Sequence, residues 1–316
     1  MNIETTVAWV KFEHPIFNAS GPDCTTWDDL EWLGKSESSG ITMKSCSLLP
    51  REWNPSPRYE ETELWSINSM WLPNLGYETY IEFSKKLQKY NKPIITSVVW
   101  FKWWEIAEKN DFMKITQAFQ DDSGVDLIEV NLSCPNVVWK PQLAYDFEDA
   151  DYVIWMVESL GDKPIGLKLP PYFDPAHTEA MAKVILKHPN VKFLTCINSV
   201  WNTLIIDSEK EEPLIKPKGW FGWLGWDYVK PVALANVRAF YKLLWDKVDI
   251  IWVWGIKSWI DVFDFLLCWA KAVQIGTVYS REWVESFARI KKEFEDYLEK
   301  KWYNSCDDFI WKLKEL

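Results

Sequence analysis

The chain has 316 residues, 48% of them apolar and 16% aromatic, enough to bury one large core or two modest ones and too many for a disordered protein. Thirty-five basic against 46 acidic residues leave a formal charge of -11, which disfavours non-specific attraction to nucleic acid or anionic lipid. No stretch reaches the roughly 20 apolar residues a membrane span needs, and the Met-Asn-Ile-Glu start lacks a basic-then-apolar leader, so the expected location is the cytoplasm.

In chain order, short β-branched runs alternate with amphipathic stretches. Strands are predicted at 16–20, 40–45, 93–99, 126–132, 164–169, 191–198, 248–253 and 272–276. Helical patterns lie at 26–33, 77–90, 112–121, 145–159, 178–187, 234–244 and 260–271, and the charged stretch 281–300 reads as a solvated outer helix. Eight such units predict an α/β (β/α)8 TIM barrel; an open doubly wound sheet is the weaker alternative, because no G-x-G-x-x-G follows the first strand. No linker divides the chain, so residues 1–316 are taken as one domain, with long loops 46–77 and 199–231 over the C-terminal face.

Chemistry in a barrel belongs at the C-terminal strand ends. Polar residues gather there: Asn18 and Ser20, Lys44 and Ser45, Asn131 and Asn136, Lys168, Asn198 and Ser199, Gly276 and Thr277. Lysines and asparagines on one rim, with three histidines in the whole chain, suit a planar anionic ligand held by hydrogen bonds and argue against a metal. The six cysteines form neither a disulfide framework nor C-x-x-C pairs, and most are expected to be buried thiols. Cys134 differs, standing between Ser133 and Pro135 just beyond a strand, where neighbouring cations would favour its thiolate.

The segments SINSMWLPNLG (66–76), NLSCPNV (131–137), KPQLAYDFE (140–148), KLPPYF (168–173) and ALANV (233–237) resemble class 1A dihydroorotate dehydrogenases, and the likeness runs nearly end to end in the same order. The resemblance implies an FMN-containing barrel that oxidises dihydroorotate to orotate in pyrimidine synthesis with fumarate as acceptor, working as a homodimer without an iron–sulfur subunit. It makes Cys134 the general base, where a serine would point to the membrane-bound class. Lys44 would meet flavin and substrate, and Lys168 would stabilise negative charge on the reduced ring. Asn68, Asn131, Asn136, Asn198 and Ser199 would hold orotate under a cover of Met70, Trp71 and Leu72. Ser20, Ser45, Asn131, Ile197, Gly222, Trp226, Trp254, Gly255, Gly276 and Thr277 correspond to FMN contacts, with Gly255, Gly276 and Thr277 around the phosphate.

The glycine count departs from this picture: there are 12 glycines and 23 tryptophans where average usage predicts roughly 22 glycines. Tryptophan stands at places where the family carries glycine, including the contact positions Trp71, Trp226 and Trp254 and the nearby Trp100, Trp139 and Trp201. Overpacking at about 1–3 kcal/mol per site would strain a fold worth about 5–15 kcal/mol. A second reading is therefore a catalytically silent or redesigned barrel that has lost FMN. At Trp254 the indole is expected either to turn outward, with loss of the glycine backbone geometry, or to occupy the phosphate pocket.

Overall fold

The computed structural model describes residues 1–70, 72–99, 110–133 and 142–314. Eight parallel strands form the central sheet: β1 Ile16–Asn18, β2 Ile41–Thr42, β3 Ile94–Val98, β4 Leu127–Asn131, β5 Ile165–Leu169, β6 Val191–Cys196, β7 Asp249–Val253 and β8 Ala272–Ile275. Each pairs with its sequence neighbour from β2 round to β8, and β8 pairs back to β1. The β1–β2 seam is closed differently. Ser39 N–H donates to Ile16 O at 3.1 Å, and the Asn18 side chain bonds both backbone groups of Thr42. The barrel expected from the alternation is thus present, nearly closed by backbone and completed by one amide.

The helices that return the chain are α1 Trp27–Lys35, α2 Tyr77–Leu87, α3 Asn110–Asp121, α4 Phe147–Glu158, α5 Pro175–Ile185, α6 Lys230–Leu244, α7 Trp259–Leu267, α8 Thr277–Glu282 and α9 Glu285–Lys300. Their starts follow local chemistry. Thr26 and Asp29 exchange capping bonds before α1, and Asp174 caps α5 ahead of Pro175 at its first turn. The stretch expected as one outer helix at 281–300 is two, α8 and α9, broken where Trp283 takes φ 57°.

Two features correct the sequence reading. An N-terminal hairpin, Thr5–Val7 with Val10–Phe12, closes the bottom of the barrel: Phe12 stacks on Phe17 at 5.0 Å and joins Ile95, Leu127, Phe193 and Ile251 in an apolar plug. Gly166 is small because a β-carbon there would fall 2.1 Å from the Phe193 ring. The long loops 46–77 and 199–231 are partly ordered into an antiparallel sheet of Val200–Thr203, Gly222–Gly225, Ser66–Asn68 and Tyr59–Glu61. Above the plug, strand alternation turns a polar layer inward, with Thr42, Glu129, Thr195 and Gln274 all buried.

Among the described residues eight tryptophans occupy the left-handed backbone region: Trp9, Trp220, Trp226, Trp245, Trp254, Trp269, Trp283 and Trp302, with φ from 52° to 90°. A side chain there costs roughly 1–2 kcal/mol relative to glycine. Several of these residues are placed at helix ends. Trp245 and Trp283 directly follow α6 and α8, where glycine ordinarily terminates a helix.

Candidate active site

A cavity of about 680 Å³ opens above the polar layer at the C-terminal strand ends, within the range of small-molecule sites. Its wall takes residues from both halves of the barrel and from the covering sheet: Ser20, Lys44, Ser45, Asn131, Lys168, Asn198, Ser199, Gly276 and Thr277 from the rim, with Asn68, Met70 and Leu72 from above.

The rim is held by its own hydrogen bonds. Asn131 Oδ1 accepts from Ser133 N–H at 3.1 Å and Ser133 O–H at 2.8 Å, while Asn198 Nδ2 donates to Ser133 Oγ at 2.7 Å. Asn198 Oδ1 in turn accepts from Ser199 N–H at 2.9 Å. Two asparagines from β4 and from the end of β6 are therefore locked in orientation through one serine. Asn68 Nδ2 reaches Trp223 O at 3.4 Å across the antiparallel sheet.

Two lysines sit in this well. Lys44 is buried and donates from Nζ to Gly21 O at 3.0 Å. Lys168 is 5% exposed, lines the cavity, and its ammonium makes no hydrogen bond among the described residues. A buried cation in that state is costly unless an anion joins it. Asp23, also in the wall, has its carboxyl pKa raised by burial, although Ser280 O–H donates to it.

Burial holds the Cys24 and Cys306 thiols up at about 12, and raises Cys46, Cys196 and Cys268 as well, so these five are inert thiols. Cys134, Asn136 and Trp71 lie outside the described residues, as do Trp100 and Trp139. Of the remaining expected contacts, Ile197, Gly222, Trp226 and Gly255 stand behind the wall and do not line it. Trp226 is buried there, donating from Nε1 to Glu63 O at 2.6 Å, with the Arg281 guanidinium 4.6 Å from its ring. Arg281 was not foreseen as a wall residue. It comes from α8, lies 3.4 Å from Glu61 and donates to Thr62 O, contacts that no local spacing announces.

At the β7–β8 rim Trp254 does not turn outward, as the first of its two expectations had it. The backbone keeps the glycine geometry, with φ 90° at Trp254 and 73° at Gly255, and the indole nevertheless lines the cavity. The ring lies against Gly225, where a β-carbon would come within 2.5 Å of it, and its Nε1 is buried without a partner among the described residues. Loops after strands seven and eight, with a short helix such as α8, are the usual phosphate site of this barrel class. The hydroxyls, amides and lysines of the well therefore fit a flavin mononucleotide, with the phosphate end narrowed by one indole.

Such a well, polar and cationic at the C-terminal face of an eight-stranded barrel, has the form and position of an enzyme active site. The comparisons with known proteins carry this further. The sequence model described as Dihydroorotate dehydrogenase matches residues 2–298. Dihydroorotate dehydrogenase A (fumarate) of Lactococcus lactis subsp. lactis is 44% identical over 317 residues, 99% of this chain and 100% of the relative. The dihydroorotate dehydrogenase (fumarate) of Saccharomyces cerevisiae is 43% identical over 305 residues, 96% of each chain. The crystal structure of Eimeria tenella DHODH in complex with ferulenol superposes with a TM-score of 0.81 at 17% identity, covering 98% of this chain and 87% of that one, a likeness of fold. The chain belongs to the dihydroorotate dehydrogenase family.

Proposed function

We propose that this chain oxidises (S)-dihydroorotate to orotate in pyrimidine biosynthesis, with FMN as cofactor and fumarate as acceptor. The observation that carries the reading is the pair of buried lysines, Lys44 and Lys168, in one well with the locked amides of Asn131 and Asn198. Those groups offer the charge and donors that an orotate carboxylate and a planar ring require.

FMN, when bound, supplies a two-electron acceptor. Ser20, Lys44, Ser45, Asn131, Lys168, Gly276 and Thr277 would hold it. Asn68, Asn131, Asn136, Asn198 and Ser199 orient the dihydropyrimidine, and Met70 and Leu72 exclude water from above. Cys134 takes the proton from C5 as general base while the C6 hydrogen leaves with its electron pair. Fumarate, as acceptor, would take up that hydrogen together with its electron pair, and the Cys134 thiol would return the proton, which balances the two hydrogens lost by dihydroorotate. Lys168 sets its side-chain nitrogen where negative charge accumulates.

A silent barrel is the second reading, and the Trp254 indole in the cavity wall favours it. Colour separates the two. Purified protein that is yellow and bleaches on adding dihydroorotate supports catalysis; colourless protein that cannot be reconstituted with FMN overturns it. Among the described residues no helix is long and apolar enough to cross a membrane. A cytoplasmic homodimer without an iron–sulfur subunit accords with the family, and sedimentation as a stable monomer at micromolar concentration would count against it.

A further inference from the structure

Beneath the cavity, a line of hydroxyls connects the wall to a buried carboxylate. Glu129, on β4, is fully buried in the polar layer and forms no ion pair among the described residues. Its Oε1 accepts from Ser97 O–H at 2.8 Å and its Oε2 from Thr195 O–H at 2.6 Å. Ser97 Oγ lies 2.8 Å from Ser45 Oγ, which lies 3.0 Å from Ser20 Oγ. Ser20 and Ser45 line the cavity; Glu129, Ser97 and Thr195 do not.

With Glu129 accepting at both oxygens, from Ser97 and from Thr195, the direction of each proton in the line follows from that end. Ser97 has one proton and gives it to Glu129, so its oxygen must accept from Ser45. Ser45 has then spent its proton downward, and its oxygen must accept from Ser20 and from Asn131 Nδ2, the latter at 3.5 Å. Ser20 Oγ accepts the Ser45 N–H at 2.8 Å and donates its own proton to Ser45. What Ser20 has left for the cavity is a lone pair. It has no proton to offer.

We propose that Glu129 is a positioning residue that sets the polarity of the cavity floor, making Ser20 an acceptor that selects a ligand N–H and rejects a ligand carbonyl. The inference rests on the flavin reading above. A flavin ring carries an N–H between two carbonyls, so its register in the well depends on which sign the floor presents. Glutamine at 129 can donate to Ser97 Oγ, which frees the Ser97 proton for Ser45 and lets the whole line reverse. Removing the Ser97 hydroxyl frees the Ser45 proton directly. The Thr195 bond lies on the other carboxylate oxygen, off the path to the cavity, and its loss leaves the line unchanged.

The full chain, freed of flavin, is titrated with FMN by fluorescence quenching. Glu129→Gln and Ser97→Ala are each expected to weaken FMN by about tenfold, the size of one mispaired buried hydrogen bond, and to shift the visible absorption of the bound flavin. Thr195→Val is expected to stay within about twofold, although it removes a buried hydrogen bond of the same class. Unchanged affinity in both Glu129→Gln and Ser97→Ala overturns the inference alone, and so does an equal loss in Thr195→Val. If Glu129→Gln does not fold, Ser97→Ala decides. Failure of the unaltered chain to take up FMN overturns the flavin reading and this inference together.

Discussion

Asn18 Nδ2 donates to Thr42 O at 2.7 Å, and Asn18 Oδ1 accepts from Thr42 N–H at 2.8 Å, so one amide, with the Ser39 N–H bond to Ile16 O, joins the first two strands where no ladder pairs them. Both residues are fully buried, and no water can substitute for the amide without rearrangement. Asn18→Ala should therefore cost about 2–4 kcal/mol, the penalty of two unpaired buried backbone groups. Asn18→Asp, which sets a buried carboxylate against the Thr42 and Ala19 carbonyls, should cost at least as much in urea denaturation. Equal midpoints for all three proteins would show that the seam does not depend on this side chain.

Trp254→Gly should tighten FMN, because it removes an indole from the cavity wall and relieves a φ of 90° in one change. Restoring glycine at 71, 226 and 254 together should bring dihydroorotate-dependent flavin reduction toward that of the family. Equal FMN dissociation constants before and after Trp254→Gly would show that the cavity accommodates the ring.

Trp302 separates backbone strain from site effects. It is 90% exposed at φ 59° just past α9, so its ring packs against little and its backbone bears the full left-handed cost. Trp302→Gly should raise stability by about 1 kcal/mol, a rise of a few degrees in melting temperature for a chain of this size. A lower melting temperature would refute the strain account at that position.

Cys134→Ser should keep FMN binding and slow flavin reduction steeply near neutral pH, since a hydroxyl is far harder to deprotonate than a thiol. Partial recovery is expected as pH rises. Stopped-flow traces that match the unaltered enzyme would remove Cys134 from the mechanism.

His14 gives a pH dependence of stability outside the site. Its Nδ1 accepts from Ile16 N–H at 3.3 Å and its Nε2 bonds Glu37 O at 2.8 Å, an arrangement that uses both nitrogens of a neutral ring. Burial first, and then the nearby Lys291, lower its pKa from 6.5 to about 4. The unfolded chain therefore takes up a proton that the folded chain refuses. Stability is whole above about pH 6.5 and falls by up to about 3 kcal/mol as pH drops toward 4. His14→Gln should flatten that part of the urea-midpoint profile; an unaltered slope would assign it to other groups.

The eight barrel strands were legible because each is a short apolar run bounded by turn residues, and a parallel sheet buries both faces of such runs. β2 is shorter than its pattern, Ile41–Thr42 against 40–45, because Lys44 N–H turns aside to Cys24 O at 3.1 Å. The N-terminal hairpin was hidden by its turn. Ala8 and Trp9 take φ 47° and 67°, a conformation normally announced by Asn-Gly, and neither residue gives that signal. The antiparallel sheet over the site pairs residues about 155 positions apart, as Asn68 does with Trp223, and no local period reports such a pairing. The rim asparagines and lysines were found by position on strand ends, whereas Arg281 reached the wall through a helix whose polar face reads as solvated.

The plug of Phe12, Phe17 and Phe193 makes the barrel a blind well, closed at the end opposite the rim. Among the described residues the plug leaves no rear exit, so a product formed on the floor must leave by the rim before a second reactant can approach the same floor. Traffic is thereby forced to alternate. Steady-state rates plotted in double-reciprocal form against dihydroorotate, at several fixed fumarate concentrations, should give parallel lines.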